Sequence, residues 1–305
     1  IAVDEPTITM SFQVSTSPLA GKEGNFVTSR QILARLQRAA DRDVALTIEE
    51  AGDCFIVKGR GVMHLGVLVE EMRREGYEFC VGKPHVIIRE VDGHLCEPWE
   101  RATVELPSEH AGRIIEYLGS RRGEMAHMER LGDLAKVEFL IPARGLVGAR
   151  TSLLTLSQGE AVLSHVFCGW RPDGGRIPRR TNGVLVADRS GVAVPYAIFG
   201  LLERGSFFVH PGAPVYEGMV VGEQAREGDL VVNICRAKKM SNMRASGRDD
   251  NVKLPPALVR SLEECLEYIE DDELLEVTPA ALRMRKTTLS EVERKRAARR
   301  EAVSR

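Results

Sequence analysis

The sequence predicts an α+β protein with two tandem ferredoxin-like (βαββαβ) domains, followed by a mainly β, barrel-like C-terminal domain with one or two helices. Two observations predict the ferredoxin-like part: the order strand, helix, strand, strand, helix, strand fits residues 1–82, and it repeats within 83–172. A third predicts the last part, because short apolar runs broken by glycine fill much of 173–305. We assign one domain to each of these three ranges.

The elements of the first domain follow from the spacing of apolar residues. Residues 8–14 alternate between apolar and polar, which is typical of a half-buried strand. Thr28 followed by Gln31 has the pattern of a capping box and predicts a helix that begins there. The remaining elements are two strands, a helix and a final strand, at 44–48, 55–57, 62–72 and 77–81.

The second domain repeats this order with weaker boundary signals. Ser108 is placed to cap the first helix, and Gly119 to stop it. A second helix is expected from near Gly145 to Gly159. Residues 171–175 have the composition of a linker. The four predicted strands lie at 101–106, 123–128, 134–141 and 161–167.

The C-terminal domain is predicted to be mainly strands, with two helices near its end. Pro255 or Pro256 suits the first turn of a helix that carries acids on its outer face and extends to Glu270. Ser290 with Glu293 predicts a final basic helix. The apolar runs read as strands lie at 184–187, 192–199, 206–209, 215–221 and 230–234.

Composition excludes several classes of protein. No apolar run approaches the roughly 20 residues that a bilayer requires, so no membrane partner is expected. The six cysteines are far apart and include no C-x-x-C pair, which favours free thiols in a reducing cytoplasm over a zinc site. The chain begins at Ile1 without an initiator methionine, and we expect it to be a piece of a longer protein.

No sequence motif predicts a catalytic residue or a metal site. The turn Gly59–Gly61 lacks the third glycine of a dinucleotide fingerprint, and no phosphate-binding P-loop occurs. His64, in the first turn of its helix, is expected to hydrogen-bond the adjacent loop. Arg144 and Gly145 stand at a strand-to-helix junction and could bind an anion, since a helix N-terminus favours negative charge. Close packing at a tight turn explains these two residues equally well.

The strongest functional signal is the segment Arg236–Lys253, which we call the cationic segment. It contains six cations and two anions, and serine, asparagine and glycine lie between the charges. Spaced lysines and arginines suit backbone phosphates, while asparagine and serine can hydrogen-bond sugars and base edges. The segment therefore predicts a nucleic-acid contact, with a solvated surface loop as the alternative.

Several stretches resemble the TypA/BipA family of translational GTPases, which is related to elongation factor G. Those resembling its domain III are Lys22–Arg30, Gly59–Leu65 and Met72–Gly76, and Pro142–Gly148 resembles part of its domain V. In the last domain the similar stretches are Asn242–Gly247, Asp271–Leu274 and Val277–Pro279. About fifteen residues separate the two ferredoxin-like units here, whereas elongation factor G inserts a large domain between them.

The resemblance implies a function for the cationic segment. The family binds the ribosomal A-site region, where this segment approaches large-subunit rRNA and the acceptor end of A-site tRNA. Carried over residue by residue, the expected RNA contacts are Arg236, Lys238, Lys239, Asn242, Arg244, Ser246, Arg248 and Lys253.

The resemblance also implies what the rest of the protein supplies. A GTP-binding domain is expected to precede Ile1, and GTP and Mg²⁺ belong to that domain, so we expect no cofactor and no hydrolysis in this stretch. The expected role is ribosome binding by a cytoplasmic monomer, in stress adaptation or large-subunit assembly. One alternative is a protein–protein interaction module that docks through the acidic helix at 257–270. Another is an enzyme that uses His64 or Arg144 on a small phosphorylated substrate.

Overall fold

The computed structural model describes residues 5–175, 177, 180–237 and 254–304. Its first unit has the predicted βαββαβ order, and its four strands pair antiparallel, with the fourth beside the first, followed by the third and the second. Thr28 and Gln31 form the predicted capping box. The elements are β1 (Ile8–Gln13), α1 (Ser29–Ala40), β2 (Thr47–Ala51), β3 (Cys54–Gly59), α2 (Val62–Arg74) and β4 (Phe79–Gly82).

The second unit has the same topology and its own core. Its main strands pair in the order β10-β7-β9-β8, and Ile114, Leu118 and Phe139 lie in the core beneath them. Two short strands, β5 (His85–Val86) and β6 (Arg89–Val91), precede it. Its elements are β7 (His94–Pro107), α3 (Ala111–Ser120), β8 (Glu124–Leu131), β9 (Leu134–Pro142), α4 (Ala143–Leu146), α5 (Ala149–Leu156) and β10 (Val162–Pro172).

The third unit contains a four-stranded sheet in the order β13-β15-β11-β16 and the strand pair β12–β14. Its described strands do not close into a barrel, so the predicted barrel-like form is wrong, while the α+β class is confirmed. Its elements begin with β11 (Val184–Ala187), β12 (Gly191–Val192), α6 (Pro195–Phe199), β13 (Gly205–Phe207), β14 (Pro214–Val215), β15 (Val220–Gln224) and β16 (Leu230–Val232). The later elements are α7 (Leu262–Tyr268), β17 (Glu273–Val277), β18 (Leu282–Lys286) and α8 (Glu291–Ser304).

The hairpin β17–β18 leaves the third unit and extends the sheet of the first. Strand β17 pairs antiparallel with β4, with Leu275 opposite Val81 and Val277 opposite Phe79. Leu275 and Val277 are fully buried in the core that also contains Phe12 and Leu36. The first and third units therefore share one sheet and one core, because the edge of β4 gains hydrogen bonds and the hairpin buries its apolar face.

Several predicted boundaries differ from the structure. Strand β2 begins at Thr47 instead of residue 44, because the Asp43 carboxylate accepts the Ala45 N–H and holds a turn there. Ser108 starts a short 3₁₀ turn and does not cap α3, which begins at Ala111. The expected linker at 171–175 begins later, since Arg171 and Pro172 still pair within β10.

The acidic helix is shorter than predicted. It begins at Leu262, where Ser261 and Glu264 form a capping box, and neither Pro255 nor Pro256 belongs to it. A side-chain cap at Ser261 provides the hydrogen bonds that a helix start needs, and residues 254–260 before it have no regular secondary structure. Helix α8 begins at Glu291, as Ser290 and Glu293 predicted. Among the helices of the described residues, none has both the length and the apolar character needed to cross a bilayer.

Candidate nucleic-acid interface

The cationic segment leaves the third unit at the end of β16. Ile234 is fully buried, and its carbonyl oxygen accepts a hydrogen bond from Val194 N–H at 3.0 Å. The Asn233 side chain accepts Cys235 N–H at 3.1 Å, which holds the next residue in place. Arg236 follows and is exposed. The first cation of the segment is therefore presented to solvent from an ordered base.

The chain between residues 188 and 194 packs directly against this exit. A Cβ on Gly191 would lie 2.8 Å from the Cys235 sulfur atom, so a larger residue there would require the Cys235 side chain to move. Nearby Arg189 forms an ion pair with Asp188 at 2.8 Å. Its hydrogen bond to that carboxylate raises the pKa of Arg189. Arg189 is consequently a weaker candidate for phosphate binding than Arg236, for which the structure records no ion pair with a described residue.

The segment returns to the same core at Leu254. Leu254 packs against the apolar cluster that contains Ile234 and Ile198. Leu254, Ile198 and Leu202 also line a cavity of about 580 Å³. Both ends of the cationic segment therefore meet the third unit beside α6.

Most of the predicted RNA contacts lie outside the described residues. Arg236 is described, and it is exposed at the exit. The contacts that lie outside are Lys238, Lys239, Asn242, Arg244, Ser246, Arg248 and Lys253. For these residues the RNA contact remains a prediction from sequence and resemblance.

Two exposed aromatic side chains on α6 were not singled out from the sequence. Tyr196 is 47% exposed and Phe199 is 53% exposed, while Ala197 and Ile198 between them are buried. The strand predicted at 192–199 is wrong beyond Val192, because Pro195 begins helix α6 there. An apolar run that predicts a strand gives no indication that two of its rings face solvent. Pro195 is the sequence signal of a helix start. On a helix, residues three apart lie on the same side, so Tyr196 and Phe199 share one face.

Helix α8 adds cations on a second surface. The Glu217 carboxylate accepts Glu291 N–H at 3.1 Å and anchors the start of this helix. Further along, Arg296, Arg299 and Arg300 are exposed, and none forms an ion pair with a described residue. The sequence predicted a basic helix here, and the exposure of these cations agrees with it.

The possible anion site at Arg144 and Gly145 has a different geometry from the one expected. The Arg144 guanidinium binds both oxygens of Glu97, at 2.5 and 2.9 Å, and Asp173 at 2.7 Å. A Cβ on Gly145 would lie 2.7 Å from the carbonyl oxygen of Arg121. Two carboxylates already neutralise the cation, and the glycine allows close packing, which favours the packing interpretation of the motif.

His64 makes the local contacts expected of a structural residue. Its Nδ1 accepts Arg60 N–H at 3.3 Å, as predicted for the adjacent loop, and its Nε2 lies 2.7 Å from an Asp43 carboxylate oxygen. The described residues include no cluster of three or more side chains that could hold a metal ion.

A cleft of about 850 Å³ lies where the first two units meet α7, and neither His64 nor Arg144 lines it. Its wall includes Glu267, whose pKa is raised by burial. The enzyme alternative required a pocket that joins His64 and Arg144. The geometry of this cleft does not supply one.

A buried ionic network holds the extended sheet together. Lys286 is almost fully buried and contacts Glu273 at 2.9 Å, Asp272 at 2.7 Å and Asp229 at 2.5 Å. Burial lowers the pKa of Lys286, but Glu273 and the two aspartates outweigh this and leave the pKa raised. Arg180 also pairs with Glu273, at 3.0 Å. These pairs connect the β17–β18 hairpin to the rest of the third unit. Because the same hairpin pairs with β4, the third unit, which carries the described ends of the cationic segment, is linked to the first unit.

Comparison with known families agrees with the order of the units. Residues 94–181 match the family described as elongation factor G C-terminus. This range contains the second ferredoxin-like unit, so the chain has a module of the elongation factor G type. Residues 182–291, which include both anchors of the cationic segment, match the TypA/BipA C-terminal domain.

Sequence comparison gives the family itself. The chain is 45% identical over 308 residues to the large ribosomal subunit assembly factor BipA of Bacillus subtilis (strain 168), covering 100% of this chain and 50% of that protein. It is 47% identical over 303 residues to the proteins of the same name from Salmonella typhimurium and Escherichia coli (strain K12), covering 97% of this chain and 50% of each. The chain thus belongs to the TypA/BipA family and spans about half the length of these curated relatives.

A crystal structure of a protein from Thermus thermophilus aligns with 57% of this chain and 42% of its own, at 14% identity and a TM-score of 0.35. We draw nothing from so distant a likeness.

Proposed function

We propose that this chain is the ribosome-binding portion of a TypA/BipA-type factor and that it contacts RNA through the cationic segment. The observation that carries the proposal is the anchoring of that segment: both ends meet one core beside α6, and its first cation, Arg236, is exposed. A net charge of +4 within the 18 residues Arg236–Lys253 concentrates cations in one stretch of the sequence. Such an array suits phosphates, which need several spaced cations.

The relatives named as large ribosomal subunit assembly factors support a role on that subunit. In this proposal the segment binds large-subunit rRNA and the acceptor end of A-site tRNA during subunit assembly or adaptation to stress. GTP and Mg²⁺ would act in a separate GTP-binding domain of the same polypeptide. The chain itself would bind the ribosome and position the GTP-binding domain on it.

The alternative of a protein docking through the acidic helix has less support. Helix α7 buries Leu262, Cys265 and Leu266 in the core shared by the first and third units. Glu264 is engaged in the capping box and Glu267 binds Thr151. Two of its acids are therefore committed to internal contacts, which leaves little acidic surface for a partner.

A charge-removal variant tests the proposal. We expect Lys238→Ala, Lys239→Ala and Arg244→Ala together to weaken co-sedimentation with large subunits and 70S ribosomes. If all three cations contact phosphate, the slope of log affinity against log salt should fall by about 2 to 3, at roughly 0.7 to 0.9 per lost contact. The melting temperature should not change, because no predicted core residue is altered.

The matched control removes three cations from other surfaces. Arg30, Arg42 and Arg113 are exposed, and the structure records no ion pair between them and a described residue. Their combined replacement by alanine should leave the slope unchanged. Unchanged co-sedimentation of the segment variant would refute the proposal, and binding that survives nuclease treatment would favour a protein partner.

A further inference from the structure

Exposed aromatic rings are concentrated on one short helix of this protein. Among the described residues, the aromatic side chains counted as exposed are Phe26, Tyr196 and Phe199. Phe26 packs its ring against Tyr77, with the centroids 4.7 Å apart. Tyr196 and Phe199 have no such ring partner in the described part of the chain and share the outer side of α6. Aromatic rings usually bury much of their area, so two uncovered rings side by side need an explanation.

The helix that carries these rings is held rigidly. Pro195 occupies its first turn, and the N–H of Ile198 donates to the Val194 carbonyl at 3.1 Å. The side of the helix that faces the core carries Ala197 and Ile198, and both are buried. A ring on such a base keeps its orientation, which lowers the entropic cost of stacking a flat partner on it.

The rings also lie near the described residues that precede and follow the cationic segment. Val194, which precedes α6, bonds to Ile234 two residues before Arg236. Ile198 lines the same cavity as Leu254, the first described residue after the segment. The described residues before and after the segment thus lie near α6, and a polyanion bound to Arg236 would be close to Tyr196 and Phe199.

We propose that Tyr196 and Phe199 form a stacking platform for unpaired RNA bases, with Arg236 contacting the phosphate backbone of the same strand. The proposal rests on the proposed function, because it names the form of RNA that the cationic region would bind. Bases present flat faces to aromatic rings only when they are unpaired, and such stacking tolerates any sequence. The exposed cation Arg236 at the start of the segment favours this occupant over an apolar protein surface, which would leave that charge without a counter-charge.

A tryptophan at the platform reports stacking directly. We expect the fluorescence of Tyr196→Trp to be quenched by hexaadenylate and hexauridylate, and much less by a duplex RNA of the same length. Two tryptophans are present already, at Trp99 and Trp170, so the unsubstituted chain supplies the background. Equal quenching by single-stranded and duplex RNA would overturn the proposal.

Affinity measurements supply the second test. Removing a base-stacking ring costs about 1–3 kcal/mol, which is roughly 5- to 150-fold in affinity. Tyr196→Ala and Phe199→Ala should each weaken hexaadenylate binding within that range, whereas Tyr196→Phe, which keeps a ring, should bind nearly as the parent does. Val292→Ala is the matched control, because Val292 is an exposed apolar residue on α8.

The salt dependence separates this proposal from the proposed function. Loss of the rings should lower affinity without changing the slope of log affinity against log salt, whereas loss of the lysines and Arg244 should lower that slope. If Tyr196→Ala and Phe199→Ala bind RNA as tightly as the parent while the charge variant binds weakly, the platform is wrong and RNA binding stands. If the aromatic variants lose only a protein partner of the ribosome, the platform is also wrong. Failure of the parent chain to bind any RNA would overturn both proposals.

Discussion

Removing the guanidinium of Arg283 should destabilise the joint between the first and third units. Arg283 is 8% exposed on β18, and its Nη1 lies 3.1 Å from a Glu276 carboxylate oxygen. Its Nη2 bonds to Glu23 in the first unit. Burial lowers the pKa of Arg283, but Glu23 and Glu276 outweigh this and leave the pKa raised, so the side chain stays charged. One residue thus links the hairpin to the loop that precedes α1.

The size of the effect follows from what the change leaves behind. Arg283→Met keeps an apolar stem but leaves the buried Glu276 carboxylate with the Tyr216 hydroxyl, which donates to it at 2.6 Å. Breaking a buried ion pair by removing one partner costs about 3–5 kcal/mol. Because the hydrogen bond from Tyr216 to Glu276 remains, we expect the loss in the free energy of unfolding to lie near the lower end of that range. For a cooperative unit of this size that is roughly 6–12 °C in melting temperature.

Calorimetry can assign this loss to one part of the chain. The first and third units share a core, whereas the second unit has a separate one, so we expect two melting transitions. Arg283→Met should lower the transition of the shared core and leave the other within about 1 °C, because the second unit loses no contact. Arg189→Met is the control: Arg189 is exposed and pairs with Asp188 at the surface, and such pairs contribute about 0–1 kcal/mol. A shift of both transitions together, or one no larger than in the control, would refute this reasoning.

Two further predictions concern titratable groups. The Glu100 carboxylate hydrogen-bonds His165 and raises its pKa above the ordinary 6.5, with burial opposing. The pair therefore stabilises the fold fully below about pH 6.5 and loses its effect as the pH rises through the folded pKa. His165→Asn should reduce the free energy of unfolding in urea more at about pH 5.5 than at about pH 9, and equal losses at both would contradict the pairing. Cys168 is exposed, whereas burial raises the pKa of Cys265 to about 12. Cys168 should react first with a thiol reagent and Cys265 only on unfolding, and a fast phase that survives Cys168→Ser would contradict this order.

Local patterns predicted the two ferredoxin-like units well. Alternation along β1, the capping box at Thr28 and the helical stripe of α2 each depend on neighbouring residues, and all three are present in the structure. Errors arose where a competing local contact outweighed the pattern. Ser261 provided the side-chain cap that Pro255 could not, so α7 begins later than the apolar spacing suggested.

The sequence likewise predicted only part of the candidate site. Charge density along the chain identified the cationic segment, because the charges are adjacent in sequence. The aromatic pair was missed, since a run that reads as buried gives no sign of which face the core covers. In the sequence, Arg144 has no visible partner and is therefore a candidate for an anion site. Its partner in the structure, Glu97, lies 47 residues earlier, and sequence spacing does not show that the two side chains meet.

The sequence by itself determined the α+β class, the repeated βαββαβ order, the family and the position of the cationic segment. The class, the order and the position of the segment follow from periodicity, capping and charge, which act over a few residues, whereas the family follows from the resemblance of several longer stretches. Only the tertiary structure decided that β17 and β18 complete the sheet of the first unit and that α6 exposes two rings beside the segment. Strand pairing between residues 79–82 and 274–277 joins parts of the chain that are far apart in sequence, and that choice depends on which edge and which apolar face remain uncovered once each unit has folded.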